Sequence, residues 1–477
     1  MEEVQDAVDR GAGVRLDDRG RLVSSPPRAD AEDPAVAELV AAVTRQIPDV
    51  ELADLLIEVD QWTAFSDELR HAAGATPRGE RLAERLYAAV VASGTLLGPA
   101  AMARICDLSE RQIGWAEEWY LDPENVASAS QRITSYHHQL ELTQHLGGGH
   151  FSSSDGHRVG QRGRPPTAAM LAREFGHQHG GLTVMSWTLD QYTTYGAKVV
   201  SVAEREATHT LDAIVHAQAP DIREHTTDTH GYTDIVFALF DLLGRRFLPR
   251  LRDLPDQRLY RLGPSRPDLA VDVARRGKIR DQLITDRWDD LLRAAGSLKR
   301  GWIAPSLLIS RLQAQSPKTP LAAALQEYGR LVRTNFALGY HADPLQRRRI
   351  TAMLNKGETT NTLRRRIAFA NRHQLRHDAD PDQHAACLTL ILNAIIVWNT
   401  RYIQAAVDRI RETRPELVND QALARLAPVL HAHIIPYGRY RFDLTAAPAA
   451  GQLRPLNTPP AARASDVPSQ PIPLNRD

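Results

Sequence analysis

The chain is short of cysteine, with only Cys106 and Cys387 among 477 residues. Two thiols exclude a disulfide framework and any zinc site built from several cysteines, and they fit a reducing compartment, for which the cytoplasm is the expectation. Long apolar runs are also missing. The longest, residues 387–398, is 12 residues long and contains Thr389 and Asn393, whereas a bilayer-crossing helix needs about 20. Glu2, Glu3, Asp6 and Asp9 stand where a signal peptide would place basic and then apolar residues. A net charge is absent as well, since 58 Lys and Arg balance 58 Asp and Glu. What is present is ordinary for a folded protein: 43% hydrophobic residues argue against disordered and fibrous classes, and the length predicts two or three domains.

The balanced sum hides an asymmetry. Residues 1–60 hold 15 acidic and 6 basic side chains, so the remainder is net basic. Between residues 347 and 376 stand Arg347, Arg348, Arg349, Lys356, Arg364, Arg365, Arg366, Arg372 and Arg376, with Glu358 as the one acid. Such a stripe is either a solvated helical face or the electrostatic footprint of a phosphate backbone.

Composition marks both ends as disordered tails, an acidic one over residues 1–34 and a Pro-rich one over 446–477. Residues 35–145 have helical apolar spacing, as in Leu82, Leu86, Ala89 and Val90, and predict a helical subdomain. Ser109 with Gln112 is a capping-box pattern, so residues 102–120 predict a helical hairpin whose expected role is packing. From Gly147 the texture changes. Residues 183–189, 198–202 and 222–227 predict strands, residues 206–218 and 232–243 predict helices, and from about Gly244 to His433 the chain is expected to be nearly all helical.

Three carboxylates occupy positions suited to chemistry. Asp155 lies in a Ser/Gly-rich stretch expected to turn, Asp228 ends a predicted strand, and Glu358 follows Asn355-Lys356-Gly357. Each also has a structural reading: an Asx turn for Asp155, a helix cap for Asp228, and a capping box begun by Asn355 for Glu358. Together they suggest a hard-cation site, because Mg²⁺ prefers oxygen ligands and two such ions can serve an in-line displacement at phosphorus. Alternatives fare worse. Gly147 to Gly149 lacks the following Lys-Ser/Thr of a phosphate-binding loop, and His145, His150, His157, His177 and His179 have no cysteine partner or HExxH spacing for zinc. Asp289-Asp290 beside Trp288 reads as a helix-surface pair with an anchoring Trp, and Trp398 and Asn399 read as core.

Several segments, in order, carry a resemblance: Val59-Asp60-Gln61-Trp62-Thr63-Ala64-Phe65, Ser152-Ser153-Ser154-Asp155-Gly156, Leu189-Asp190-Gln191-Tyr192, the stretch HTTDTHGYT at 225–233, Trp288-Asp289-Asp290, Leu354-Asn355-Lys356-Gly357-Glu358, Trp398-Asn399-Thr400, and Leu426-Ala427-Pro428 through His433-Ile434 to Gly438-Arg439-Tyr440. Over about residues 50–443 the chain resembles the C-terminal catalytic half of the Tn3-family transposases, DDE enzymes with an RNase H-like core. The resemblance implies an α/β fold: an RNase H-like mixed sheet within residues 146–445, a large helical insertion at about 244–345, and the all-helical subdomain ahead of it. It implies Asp155, Asp228 and Glu358 as the catalytic triad and as ligands of two Mg²⁺ ions, for which Mn²⁺ could substitute. It further implies 3′-end cleavage and strand transfer in replicative transposition, with transposon ends and target DNA as partners, a homodimer on paired ends, and a place at the nucleoid.

Arg158, Arg245, Arg246, Arg250, Arg347, Arg348, Arg349, Lys356, Arg364, Arg365 and Arg366 are the candidate phosphate contacts. The chain departs from the family in having His157 before Arg158, where Gln then Arg is usual. Full members are also roughly twice as long and carry N-terminal DNA-binding domains. The expectation is therefore an isolated catalytic half, with an inactive remnant that binds DNA or full-length transposase as the alternative.

Overall fold

A computed structural model describes every residue except 1, 12, 27–32, 75–80, 163–168, 171–179, 216–219, 230, 267, 316–318, 450 and 459–477. The architecture is mixed α/β, with one seven-stranded mixed sheet among helices.

The acidic amino-terminal stretch is not a disordered tail over its described length. Helix α1 (Glu2–Asp9) leads into a hairpin of β1 (Val14–Leu16) and β2 (Leu22–Ser24). Val4 and Ala7 repeat at helical spacing and are buried with Val14 and Leu22 against Leu248, Leu338 and Ile350. The acids occupy the outer faces, so an average over composition conceals an amphipathic pattern that folds. Residues 27–32 lie outside the described residues.

Next come α2 (Pro34–Gln46), α3 (Leu52–Thr63), α4 (Leu82–Gly94), α5 (Glu110–Tyr120) and α6 (Pro123–His137). The capping box at Ser109 forms with both of its hydrogen bonds. The inward face of α5 carries Ile113, Ala116 and Tyr120, all buried. These helices have no separate core. Leu39, Leu55, Val90 and Ile133 share one apolar cluster with Val159, Leu182 and Val184 of the sheet.

The sheet contains β3 (Phe151–Gln161), β4 (Ala169–Met170), β5 (Gly180–Leu189), β6 (Thr194–Ser201), β7 (Glu224–Thr227), β8 (Arg246–Phe247) and β9 (Gln374–Leu375). Its main path runs β4-β5-β3-β7-β8, with β6 added on β5 and β9 on β3. Pairing is antiparallel from β3 through β5 to β6, and parallel from β3 through β7 to β8. The helix expected over 206–218 is confined to Glu206–His209, and residues 216–219 lie outside the described residues.

Helix α7 (Asp234–Leu242), started by the Thr233 side chain, packs its Ile235, Val236, Phe237 and Phe240 beneath β7 and β8. After Gly244 the chain is less helical than expected. Strand β8 and a small parallel pair, Tyr260–Arg261 with Gly277–Lys278, precede the first insertion helix, Asp281–Asp286. Then follow α8 (Trp288–Lys299), α9 (Pro305–Gln315), α10 (Pro320–Ala342) and α11 (Pro344–Ile367). Helices α7 and α10 nearly touch at Gly329, where a Cβ would meet the Asp234 carbonyl oxygen.

The last long helix, α12 (Pro381–Thr413), starts on an Asp380 cap with Pro381 in its first turn. By length and composition it could cross a membrane, with mean hydropathy 1.4 over its most apolar window, but 89% of that window is buried inside the fold. Its apolar surface is spent on the core. The Pro-rich end is also partly structured: Leu453 and Leu456 pack on the main cluster and Asn457 bonds the end of α2. Residues 459–477 lie outside the described residues.

Candidate active site

In a strand, successive side chains point to opposite faces. Asp155 does not sit in a turn, as its Ser/Gly-rich setting suggested, but in the middle of β3. Ser152 and Ser154 point to one face, Ser153 and Asp155 to the other. On the first face, His225 of β7 lies between the two serines, Nδ1 2.8 Å from Ser152 Oγ and Nε2 3.0 Å from Ser154 Oγ. Tyr195 donates its hydroxyl to Ser152 Oγ at 3.1 Å. Burial holds His225 neutral, with its pKa pushed down to about 3. The imidazole stacks on Phe240 and Phe247. It therefore pins the register of β3 against β7 beside the two aspartates.

That register sets the geometry. Ser154 pairs with Thr227 across the parallel ladder, so Asp155 and Asp228, each one residue further on, lie side by side. Thr233, not Asp228, caps α7, which leaves the Asp228 carboxylate free of that structural duty.

Helix α11 supplies the third acid. Its N-cap is Asp343, so Glu358 lies deep inside the helix and not in a capping box begun by Asn355. Gly357 lets the helix settle on the sheet, since a Cβ there would stand 3.0 Å from Ser153 Oγ. One turn on, Asn361 Nδ2 donates to Asp155 Oδ2 at 2.6 Å. Asp155 Oδ1 accepts from the Gly156 N–H at 2.9 Å. Burial raises the pKa of Asp155; the Gly156 N–H lowers it, Asp228 raises it, Arg364 lowers it and Glu358 raises it again. Asp155 thus feels both of the other carboxylates. Among the described residues, no three acidic, histidine or cysteine side chains already enclose a metal-sized space. The donor set consists of oxygens only and carries mutual repulsion that a cation would relieve, which fits a hard divalent ion.

The basic residues divide. Lys356 does not face a phosphate: its Nζ donates to the Leu146 and Asp190 carbonyls at 2.7 and 2.6 Å and lies over the Tyr192 ring. Arg347 is buried and donates to the Tyr340, His341 and Ser25 carbonyls, tying the amino-terminal hairpin to the end of α10. Arg364 is buried at 2% exposure. Arg245 bonds the Ile222 carbonyl. Burial thus turns Arg347 and Arg364, and its carbonyl partners turn half-buried Lys356, away from the expected DNA contacts. Arg246 and Arg349 pair with Glu224 yet stay 63% and 52% exposed. Arg158, Arg250, Arg365 and Arg366 are exposed, Arg348 is half-buried, and Arg366 lies over the Tyr437 ring.

Other residues are placed as well. Asp290 pairs with Arg287 and Arg293 on the surface of α8, where Trp288 is 40% exposed. Asn399 satisfies the Pro428 and Leu430 carbonyls and His433. His145 and His150 stand near Asp420 and Asp221, and His157 is held neutral by burial. His177 and His179 lie outside the described residues. Asn361 and His225 were not among the candidate site residues. Asn361 is three residues past Glu358 and so shares its side of any continuous helix.

Residues 54–440 match the family described as Tn3 transposase DDE domain. The chain is 33% identical over 448 residues to the transposase for transposon Tn1546 of Enterococcus faecium, covering 93% of this chain and 45% of that protein. It is 32% identical over 463 residues to the transposase for transposon gamma-delta of Escherichia coli (strain K12), covering 95% of this chain and 46% of that one. A third relative, the transposase for transposon Tn501 of Pseudomonas aeruginosa, is 32% identical over 463 residues, with 96% and 45% covered. The chain spans about half the length of these relatives.

Proposed function

The chain belongs to the Tn3 transposase family, and on that premise we propose that its cleft cuts DNA at the 3′ ends of a transposon and joins the freed 3′-hydroxyls to target DNA. The observation that carries this reading is that Asp155 and Asp228 follow paired residues of adjacent parallel strands, while Asp155 also feels Glu358 from the helix laid over them. The strand order of the sheet supports an RNase H-like core.

In this reading Asp155, Asp228 and Glu358 hold two Mg²⁺ ions, or Mn²⁺, which would supply Lewis acidity for displacement at phosphorus. The remaining work falls to the chain itself. His225 fixes the strand register, Asn361 fixes the orientation of Asp155, and the exposed arginines hold the polyanion. Each step forms one P–O bond as it breaks another: water displaces the 3′ oxygen, leaving a 3′-hydroxyl and a 5′-phosphate, and that 3′-hydroxyl then attacks a target phosphate and displaces the target strand's 3′ oxygen as a new hydroxyl. Action at the nucleoid, as a homodimer on paired ends, belongs to the same proposal. The test is a nicking and strand-transfer assay on a duplex carrying the element's own end, with and without Mg²⁺.

Two further results are expected. Asn361→Leu keeps the branched outline of the side chain and removes the hydrogen bond to Asp155, so nicking falls by about 10- to 100-fold, the usual effect of losing a partner behind a metal ligand. An unchanged rate in a normally folded variant would remove Asn361 from the mechanism. DNA binding by the chain is salt-sensitive and nearly blind to sequence, because arginines on an exposed face contact phosphate rather than base edges. Replacing Arg365 and Arg366 by Ala lowers the slope of log affinity against log salt by about 1.8, close to 0.9 per phosphate contact. A preference for the true end over a scrambled duplex above about a hundredfold would place end recognition in this chain.

A further inference from the structure

Arg364 stands out among the cations of the described residues. It lies two turns past Gly357 and one turn past Asn361 on α11, on the face of that helix turned to β3. The residue is 2% exposed, and its Nε and Nη2 have no hydrogen-bond partner. A buried guanidinium with two nitrogens unpartnered is costly unless an opposite charge stands close by. Asp155 is the charge that Arg364 feels. Its other titratable neighbours, His157 and His384, are both driven neutral by burial, so they add no positive charge. Arg364 is therefore the buried cation that acts on the first aspartate of the cleft.

We propose that Arg364 is the internal counter-charge of the carboxylate cleft, a positioning residue that balances Asp155 from behind and sets how tightly the cleft takes a divalent cation. The inference rests on reading the cleft as a metal site. Two consequences follow from Coulomb's law. Before an ion arrives, Arg364 offsets part of the repulsion among Asp155, Asp228 and Glu358. Once an ion arrives, the same positive charge opposes it, and burial leaves that opposition poorly screened.

The experiment measures Mn²⁺ affinity of the full chain at pH 8 from the paramagnetic resonance signal of free Mn²⁺. Arg364→Met and Arg364→Gln remove the charge and are expected to bind Mn²⁺ roughly tenfold tighter. Arg364→Lys keeps the charge and should bind as the parent does. Asp155→Asn loses a ligand and should bind more weakly. Thermal melts establish that each variant is folded, and the Gln and Lys variants carry the test if the Met variant does not fold. If Asp155→Asn weakens binding while the neutral Arg364 variants are unchanged or weaker, the counter-charge role is overturned and the cleft reading stands. A shift as large in Arg364→Lys as in Arg364→Gln would assign the effect to shape and overturn the proposal. Unaltered Mn²⁺ binding in Asp155→Asn would overturn the cleft reading itself.

Discussion

Asp155→Asn, Asp228→Asn and Glu358→Gln are each expected to lower Mg²⁺-dependent nicking by on the order of 10³-fold or more, since each amide keeps its side chain's shape but removes an anionic ligand worth several kcal/mol at the transition state. Chelation should abolish the parent's activity to the same degree. Folding should respond far less. Burial and the neighbouring acids raise the pKa of Asp155, so its ionised form is the one the folded state disfavours. An amide removes that cost, but it also takes the opposite charge from Arg364 and leaves one acceptor for the two donors Asn361 and the Gly156 N–H, so the melting temperature of Asp155→Asn should stay within a few degrees of the parent's. The check pairs a nicking assay, on protein cleared of host nuclease, with a thermal melt. Undiminished nicking in any of the three variants would remove that residue from the triad. A collapse of stability alongside the lost activity would mean that the carboxylate was structural.

The sequence carried much of this site because its chemistry depends on few residues with strong local signals. Asp228 follows a β-branched run, Ser109 and Gln112 form a helix start with a known mechanism, and the apolar run around Trp398 could only be core. What stayed hidden depended on pairing across the chain. Ser152 to Ser154 have weak strand propensity, so Asp155 looked like a turn residue until the ladder to β5 and β7 was seen. Lys356 and Arg347 looked like phosphate ligands because sequence shows charge but not the carbonyls waiting for it. Asn361 gave a signal only to a reader who ran α11 unbroken from Asp343 through Glu358. The amino-terminal segment reads as a tail in composition because Val4 and Ala7, the residues that fold it, are outnumbered by the acids around them.

The carboxyl-terminal segment reads as a tail for the same reason, and its packing yields a large expected effect. Glu58 on α3 is fully buried and accepts from Trp398 Nε1 at 2.8 Å and from the Tyr402 hydroxyl at 3.0 Å. Its other oxygen is bonded by Arg454 Nε, and Arg454 Nη2 reaches Asp54 at 3.0 Å. The Arg454 N–H also donates to the Tyr402 hydroxyl at 2.8 Å. Arg454→Met would leave Glu58 as a buried carboxylate with two neutral donors and no cation. Removing one partner of a buried ion pair costs about 3 to 5 kcal/mol. The lower end, about 3, applies here because Arg454 is 24% exposed and water can reach the gap. Adding Glu58→Gln to Arg454→Met should recover most of that loss, since the amide oxygen still accepts from Trp398 and Tyr402 while the unpaired charge is gone. Urea unfolding of the parent, both single variants and the double variant closes the cycle. A loss below about 1 kcal/mol in Arg454→Met, or no recovery in the double variant, would show that residues 451–458 merely lie on the helical core. The expected coupling would show that they strap α3 to α12.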